Sequence, residues 1–163
     1  MNATSLVVNI GASTMDMFVV RNGELAFVYT YPNGGAALSL ALERGLGLDH
    51  TQAEEYKRTY GLDPAQLESK VREAMMPVFR LFLAEIQKAM QFFSTSSGGQ
   101  QIERIVLSGG SAALPHLIPT IAEVFPIETT LFNPLTGHSL EKEVTLSPLD
   151  QLSFGVAIGL VLE

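Results

Sequence analysis

Four short stretches of this sequence carry residue types suited to holding an anionic or polar ligand. In the first, Asn9-Ile10-Gly11-Ala12-Ser13-Thr14-Met15-Asp16, a glycine and two hydroxyls sit between apolar runs. Glycine lets a backbone approach a ligand closely. Successive N–H groups and hydroxyls in such a turn make a cradle for phosphate. The second, Ser108-Gly109-Gly110-Ser111, leads from a strand pattern into a helix pattern; the N-terminus of a helix favours an anion. It is neither a Walker loop nor a GxGxxG fingerprint. The third pairs Glu54 with Lys57, three apart and so on one helical face. The fourth, Asn33-Gly34-Gly35, puts two glycines at a helix start. Each has an ordinary alternative: a hairpin turn, a plain strand-to-helix connection, a solvated surface pair, a cap and hinge.

Other chemistries lack their residues. His50, His116 and His138 are scattered without metal-ligand spacing. There are no cysteines, which excludes disulfides and thiolate metal sites and fits a reducing cytoplasm. The serines form no nucleophile elbow, and Phe92-Phe93 reads as core. The formal net charge of −7 shows no basic patch, which argues against nucleic acid and against anionic lipid. Met1 to Ser5 lacks the basic start of a signal peptide. The apolar run Phe154 to Leu162 is about half of what spans a bilayer, so direct membrane insertion is not expected. With 47% hydrophobic and 17% charged residues, the 163-residue chain is rich enough in apolar side chains for a packed core.

The elements that must position these residues follow from pattern. Ser5–Ile10, Met15–Val20 and Leu25–Tyr31 read as an antiparallel meander, with Asn22-Gly23 as a type I′ hairpin turn. Ala36–Leu46 reads as a helix stopped by Gly45 and Gly47. A second helix follows, with Thr51 and Glu54 as a capping box and Gly61 at its end. Asp63-Pro64 is expected to start a long helix, with Val71, Met75, Val78, Phe82, Ile86, Ala89 and Phe93 on its apolar face and a kink at Pro77. Ile102–Leu107 is a strand, Leu114–Val124 a helix and Ile127–Phe132 a strand. A long loop from Asn133 to Leu146 precedes a closing helix over Asp150–Leu162, whose Gly155 and Gly159 share a face.

The order of these segments resembles the second lobe of the actin, DnaK and FtsA superfamily, and the residues resemble the PilM family within it. Asn9 to Asp16 is similar to that family's DIGASTTD, and Ala53-Glu54-Glu55-Tyr56-Lys57 to its AExxK segment. Lys88 to Ser96, with Gln91-Phe92-Phe93, resembles its helix ending in RSLQFF and serines. Ile105 to Gly110 with Leu114-Pro115 resembles its IVLSGG…LP segment, and Asn133-Pro134 its NP. The resemblance covers nearly the whole chain.

The resemblance implies an α/β fold: a ribonuclease H-like mixed sheet, with residues 1–37 and 97–163 as the actin-like nucleotide-binding core and 38–96 as a small inserted helical subdomain. It implies an ATP-binding scaffold of type IV pilus assembly, cytoplasmic and peripheral to the inner membrane through a PilN-type partner. Gly11, Ala12, Ser13 and Thr14 would hold the β- and γ-phosphates, and Gly34 and Gly35 would back the phosphate cleft. Glu54 and Lys57 would meet ribose and adenine, and Gly109, Gly110 and Ser111 would lie under the nucleoside. Two positions depart from the family. Asn9 replaces an aspartate that faces the water shell of Mg²⁺, which weakens metal recruitment, and Met15 replaces a hydroxyl. The family's first lobe, with much of the PilN groove, is expected to be absent. A lone lobe is expected to hydrolyse no ATP and to self-associate through exposed apolar surface. The competing expectations are a fragment of an FtsA-like division protein and an interaction module that has lost nucleotide binding.

Overall fold

The computed structural model describes residues 3–133 and Leu152. Alternation sets up its central strand. In β1 (Ser5–Ile10), Leu6, Val8 and Ile10 are buried, while Val7 and Asn9 on the opposite face are only partly so. A tight turn leads to β2 (Met15–Arg21), antiparallel to β1 with Ile10 opposite Met15 and Asn9 opposite Asp16. Asn22 and Gly23 both take positive φ, 54° and 82°, as a type I′ turn demands, and deliver β3 (Glu24–Tyr31). The strand β4 (Arg104–Ser108) returns parallel to β1, and β5 (Glu128–Leu131) parallel to β4. The sheet order is β3-β2-β1-β4-β5, and Val106 lies beside Val7 in it. The expected meander is thus present, in a mixed five-stranded sheet.

Three helices lie between β3 and β4: α1 (Gly35–Leu46), α2 (His50–Tyr60) and α3 (Lys70–Ser96). The long helix α3 buries Val71, Met75, Phe79, Phe82, Leu83, Ile86, Ala89 and Phe93, a stripe at three- and four-residue spacing. These side chains join Leu6, Met15, Met17, Val19, Ile105 and Leu107 of the sheet in one continuous core. A short helix, α4 (Leu117–Ala122), precedes β5.

Several boundaries differ from expectation, each for a local reason. The helix α2 is capped by Asp49 and Gln52, not by Thr51 and Glu54. The Gln52 amide donates to Asp49 Oδ1 at 2.8 Å, and the Asp49 amide to Gln52 Oε1 at 3.1 Å. The Glu54 carboxylate is drawn instead to Lys57 and Ser39. Gly45 lies within α1, and Gly47, at φ 67°, closes it. Asp63 does not start α3: its Oδ1 accepts the Ala65 amide at 2.9 Å, closing a local turn, and α3 begins after a 3₁₀ turn at Leu67–Ser69. Pro77 sits inside α3 without ending it, and Phe79 rather than Val78 takes the buried place. The helix expected over Leu114–Val124 begins only with α4 at Leu117, after a separate 3₁₀ turn at Gly110–Ala113, because Leu114 precedes Pro115 and is held extended at ψ 130°. The long loop and closing helix read from the sequence fall outside the described residues, apart from Asn133 and the buried Leu152.

The cap makes a test. Asp49→Ala should lower folding stability by about 1 kcal/mol in urea titrations. Thr51→Ala should stay within about 0.5 kcal/mol of the parent. The reverse order would restore Thr51 as the cap.

Candidate functional site

The turn after β1 is the foundation of the site. Its Gly11 amide donates to the Thr14 carbonyl at 2.9 Å, which folds the turn back on itself. The first helix then docks on that turn through backbone alone. Gly35 N–H donates to the Gly11 carbonyl at 2.8 Å and Ala36 N–H to the Ala12 carbonyl at 2.9 Å. No side chain caps α1; the turn does so. The approach is so close that a Cβ on Gly34 would lie 2.5 Å from the Gly11 oxygen and 2.8 Å from the Ala12 carbonyl carbon. Glycine is required there for space, since Gly34 itself is in ordinary extended backbone.

The second helix is pinned to α1 by a buried lysine. Lys57, 7% exposed, donates to Glu54 Oε1 at 2.7 Å, Ser39 Oγ at 2.7 Å and the Gly35 carbonyl at 3.2 Å. Those three acceptors use every proton of its ammonium group. Ser39 also bonds Glu54 Oε1. Burial pushes the Glu54 carboxyl up, but the hydrogen bonds from Lys57 and Ser39 and the charges of Lys57 and Arg58 outweigh it and hold the group below the ordinary carboxylate value. The far end of α2 is pinned as well. Leu62 N–H donates to the Pro115 carbonyl at 2.9 Å, and Gly61, at φ 51°, lies against Pro115 with no room for a side chain.

The fourth wall comes from the connection after β4. Gly109, at φ 86°, passes so close to Ile10 that a Cβ would lie 2.5 Å from its carbonyl oxygen, and its amide donates to the Leu152 carbonyl at 3.1 Å. Ser111 follows, buried, with its hydroxyl against Gly35.

These walls enclose a cavity of about 570 Å³. Of the residues singled out by sequence, Gly11, Ala12, Gly35, Glu54, Lys57, Gly110 and Ser111 line it. Four others stand beside it. Gly34 and Gly109 sit behind the turn. Thr14 turns its hydroxyl to Asp16 Oδ2 at 3.0 Å, and Ser13 is exposed at the tip. Asn9, half-buried at the end of β1, packs by Gly109 rather than in the lining. The lining also includes Ala36, His50, Arg58, Ala113 and Leu114, which the motifs did not mark. For His50 and Arg58 a signal existed: each is four residues from Glu54, on one helical face. Among the described residues, the amides of Ala12 and Ser13 have no protein acceptor, and no group of three or more metal-binding side chains occurs.

Comparison with known proteins now has a geometry to attach to. A family model described as type IV pilus assembly protein PilM matches residues 1–163. The chain belongs to the PilM family. A chain of the solved PilM–PilN type IV pilus biogenesis complex superposes with a TM-score of 0.81 at 26% identity, covering 98% of this chain and 45% of that one. MreB5 of Spiroplasma citri, solved bound to ADP, matches with a TM-score of 0.71 at 13% identity, covering 98% of this chain and 53% of that one. The ethanolamine utilization protein EutJ of Escherichia coli (strain K12) is 27% identical over 149 residues, 91% of this chain and 46% of that protein. The fold is therefore α/β and actin-like. This PilM-family chain spans less than half the length of that curated relative. Among the described residues no helix is long and apolar enough to cross a membrane.

Two outcomes test the site. Gly34→Ala places a methyl against backbone and should cost at least about 2 kcal/mol of stability. Gly35→Ala strikes only the Ser111 hydroxyl at close range, so adding Ser111→Ala should recover part of its loss; equal costs with no recovery would refute the packing. The second outcome concerns pH. A carboxyl held below its unfolded value contributes stability above that unfolded value and loses it as pH falls through the folded one. Stability should therefore fall on acidification below the ordinary glutamate range, and Glu54→Gln should flatten that fall. Identical slopes in urea titrations across pH would remove Glu54 from the balance.

Proposed function

We propose that this chain is the ATP-binding part of an actin-like scaffold in type IV pilus assembly. The observation that carries the reading is convergence. A glycine turn with free amides, the Glu54 face of α2 and the Gly110–Ser111 turn close on one cavity in a member of the PilM family. Free amides at Ala12 and Ser13 suit phosphate oxygens. The Glu54 carboxylate suits hydroxyl donors, and the Ala113 and Leu114 side suits an aromatic base. ADP bound to a protein of the same fold supports the class of ligand.

In this proposal residues 1–37 and 97–163 act as the nucleotide-binding core and 38–96 as the inserted helical part. The PilM–PilN complex supports a PilN-type partner. Through it the scaffold would sit at the cytoplasmic face of the inner membrane. A hydrated Mg²⁺ accompanying the phosphates would meet the Asn9 amide instead of a carboxylate, and would be recruited weakly. We further propose binding without appreciable hydrolysis by this chain alone, since transition-state charge is held from several sides.

Calorimetric titration with ATP tests the reading. Wild type should bind, and Ala113→Trp, an exposed site that fills the cavity mouth, should weaken binding at least about tenfold, roughly 1.4 kcal/mol, with unchanged melting. Equal affinity in the two proteins would place ATP elsewhere.

A further inference from the structure

The sheet ends in an edge that stays unpaired among the described residues. β3 is the outermost strand in the order β3-β2-β1-β4-β5. Beyond its ladder with β2, its one backbone hydrogen bond among those residues is local, from the Asn33 amide to the Tyr31 carbonyl at 2.9 Å. An open edge is a template for another strand, and proteins blunt it with lysine, proline or a bulge. β3 has neither lysine nor proline. Its bulge, where Val20 pairs with Leu25 and Val19 with Phe27, lies near the start and leaves Phe27 to Tyr31 in regular register. The helix α3 runs beside this edge. Phe92 packs on Phe27 with ring centroids 5.2 Å apart, Lys88 Nζ stands 5.7 Å from the centre of the Tyr29 ring, and Tyr31 meets Phe82. Phe27, Tyr29, Lys88, Ala89 and Phe92 thereby line a groove of about 190 Å³. None of them lines the cavity described above. Phe92, which the sequence places in the core with Phe93, is 58% exposed, whereas Phe93 is buried.

We propose that this edge takes an extended segment of a partner protein as an added strand, antiparallel to β3. The segment places a large apolar side chain against Phe27 and Phe92, and a carboxylate two residues earlier at Lys88. The spacing carries that pattern. Side chains on one face of a strand recur about every 7 Å. Phe27 and Tyr29 are such a pair, and Phe92 and Lys88 stand behind them one helical turn apart. A strand laid along β3 therefore offers alternate side chains first to a cationic place and then to an aromatic one. Lys88 is 65% exposed, and its bond to Glu85 is long at 3.4 Å, so its ammonium has protons to give. A second copy of β3 fits poorly. Its one acid, Glu24, is followed two residues later by Ala26, which is too small to fill the place at Phe27 and Phe92. Strand addition of this kind draws affinity from main-chain hydrogen bonds and specificity from the pockets that alternate side chains enter.

The probe is a capped, fluorescently labelled peptide, Thr-Val-Thr-Glu-Thr-Phe-Thr-Val, and its binding to the chain is read by anisotropy. Wild type should bind it. Two further peptides are N-methylated at alternate residues, one at the threonines and one at the other four. The N–H groups of a strand point to its two edges in turn, so one of the two should bind at least about tenfold more weakly than the other. Phe92→Ala should weaken the parent peptide by about tenfold. A peptide with lysine in place of glutamate should bind wild type about threefold more weakly than the parent peptide, and Lys88→Glu should reverse that order. No binding by wild type at about 1 mM peptide would overturn the proposal. So would equal binding of the two methylated peptides, unchanged affinity in Phe92→Ala, or no reversal in Lys88→Glu. A wild-type dimer in sedimentation that Phe92→Ala dissolves would show that a second copy covers the edge, and would overturn it too.

Discussion

Two backbone hydrogen bonds, Gly35 N–H to the Gly11 carbonyl and Ala36 N–H to the Ala12 carbonyl, set the geometry on which the site depends. A helix begins with donors that have no partner inside it. Leaving such a donor buried and unpaired costs about 1–3 kcal/mol, so α1 must end on acceptors. The acceptors here belong to the turn between β1 and β2, which makes helix and turn one rigid piece. The bonds also decide which amides are already paired. The first two of α1 are spent on the turn, while among the described residues those of Ala12 and Ser13 have no protein acceptor. The Gly34-Gly35 pair lets the helix come close to that turn.

The buried ammonium of Lys57 is the second constraint. A charge taken from water is tolerated only when paired and fully hydrogen-bonded. Glu54 supplies the pairing; Ser39 and the Gly35 carbonyl supply the rest. Because Gly35 is also the residue bonded to Gly11, α2, α1 and the turn meet at a single glycine. Ser111 closes on it from the other side. The walls of the cavity thus meet around Gly35.

The sheet and its turns were legible in the sequence because they obey short-range rules. Period-two burial in Leu6, Val8 and Ile10, and an Asn-Gly pair between strands, leave little choice. The gathering of Gly11, Glu54 and Gly110 about one cavity was legible only through family resemblance, since nothing local brings residues so distant in sequence together. What escaped was competition between partners. Thr51 and Asp49 both offer a cap, and Asp49 wins because Glu54 is engaged by the buried lysine. Asp63 offers a helix start but closes its own turn. Leu67, Glu68 and Ser69 then take positive φ in succession, a conformation that no propensity suggests for those residues. His50 and Arg58 were missed because they sit on the right face of α2 without belonging to a motif.

The two departures from the family pattern are not of one kind, and the strand register separates them. Met15 pairs across from Ile10, and both point into the core, where Met15 is completely buried. A threonine hydroxyl at that place would need a buried partner or cost stability; a methionine fills the space with apolar contacts. Its presence speaks of packing and counts nothing against a ligand. Asn9 is one residue before Ile10 and so lies on the opposite face, level with Asp16 on β2 and Ser108 on β4. That row is polar and crosses three strands where the parallel pair β1 and β4 ends. In open α/β sheets, ligands meet the carboxyl ends of parallel strands. Only Asn9, then, bears on the charge presented there. Of the two departures, that one amide alone bears on the nucleotide site proposed above.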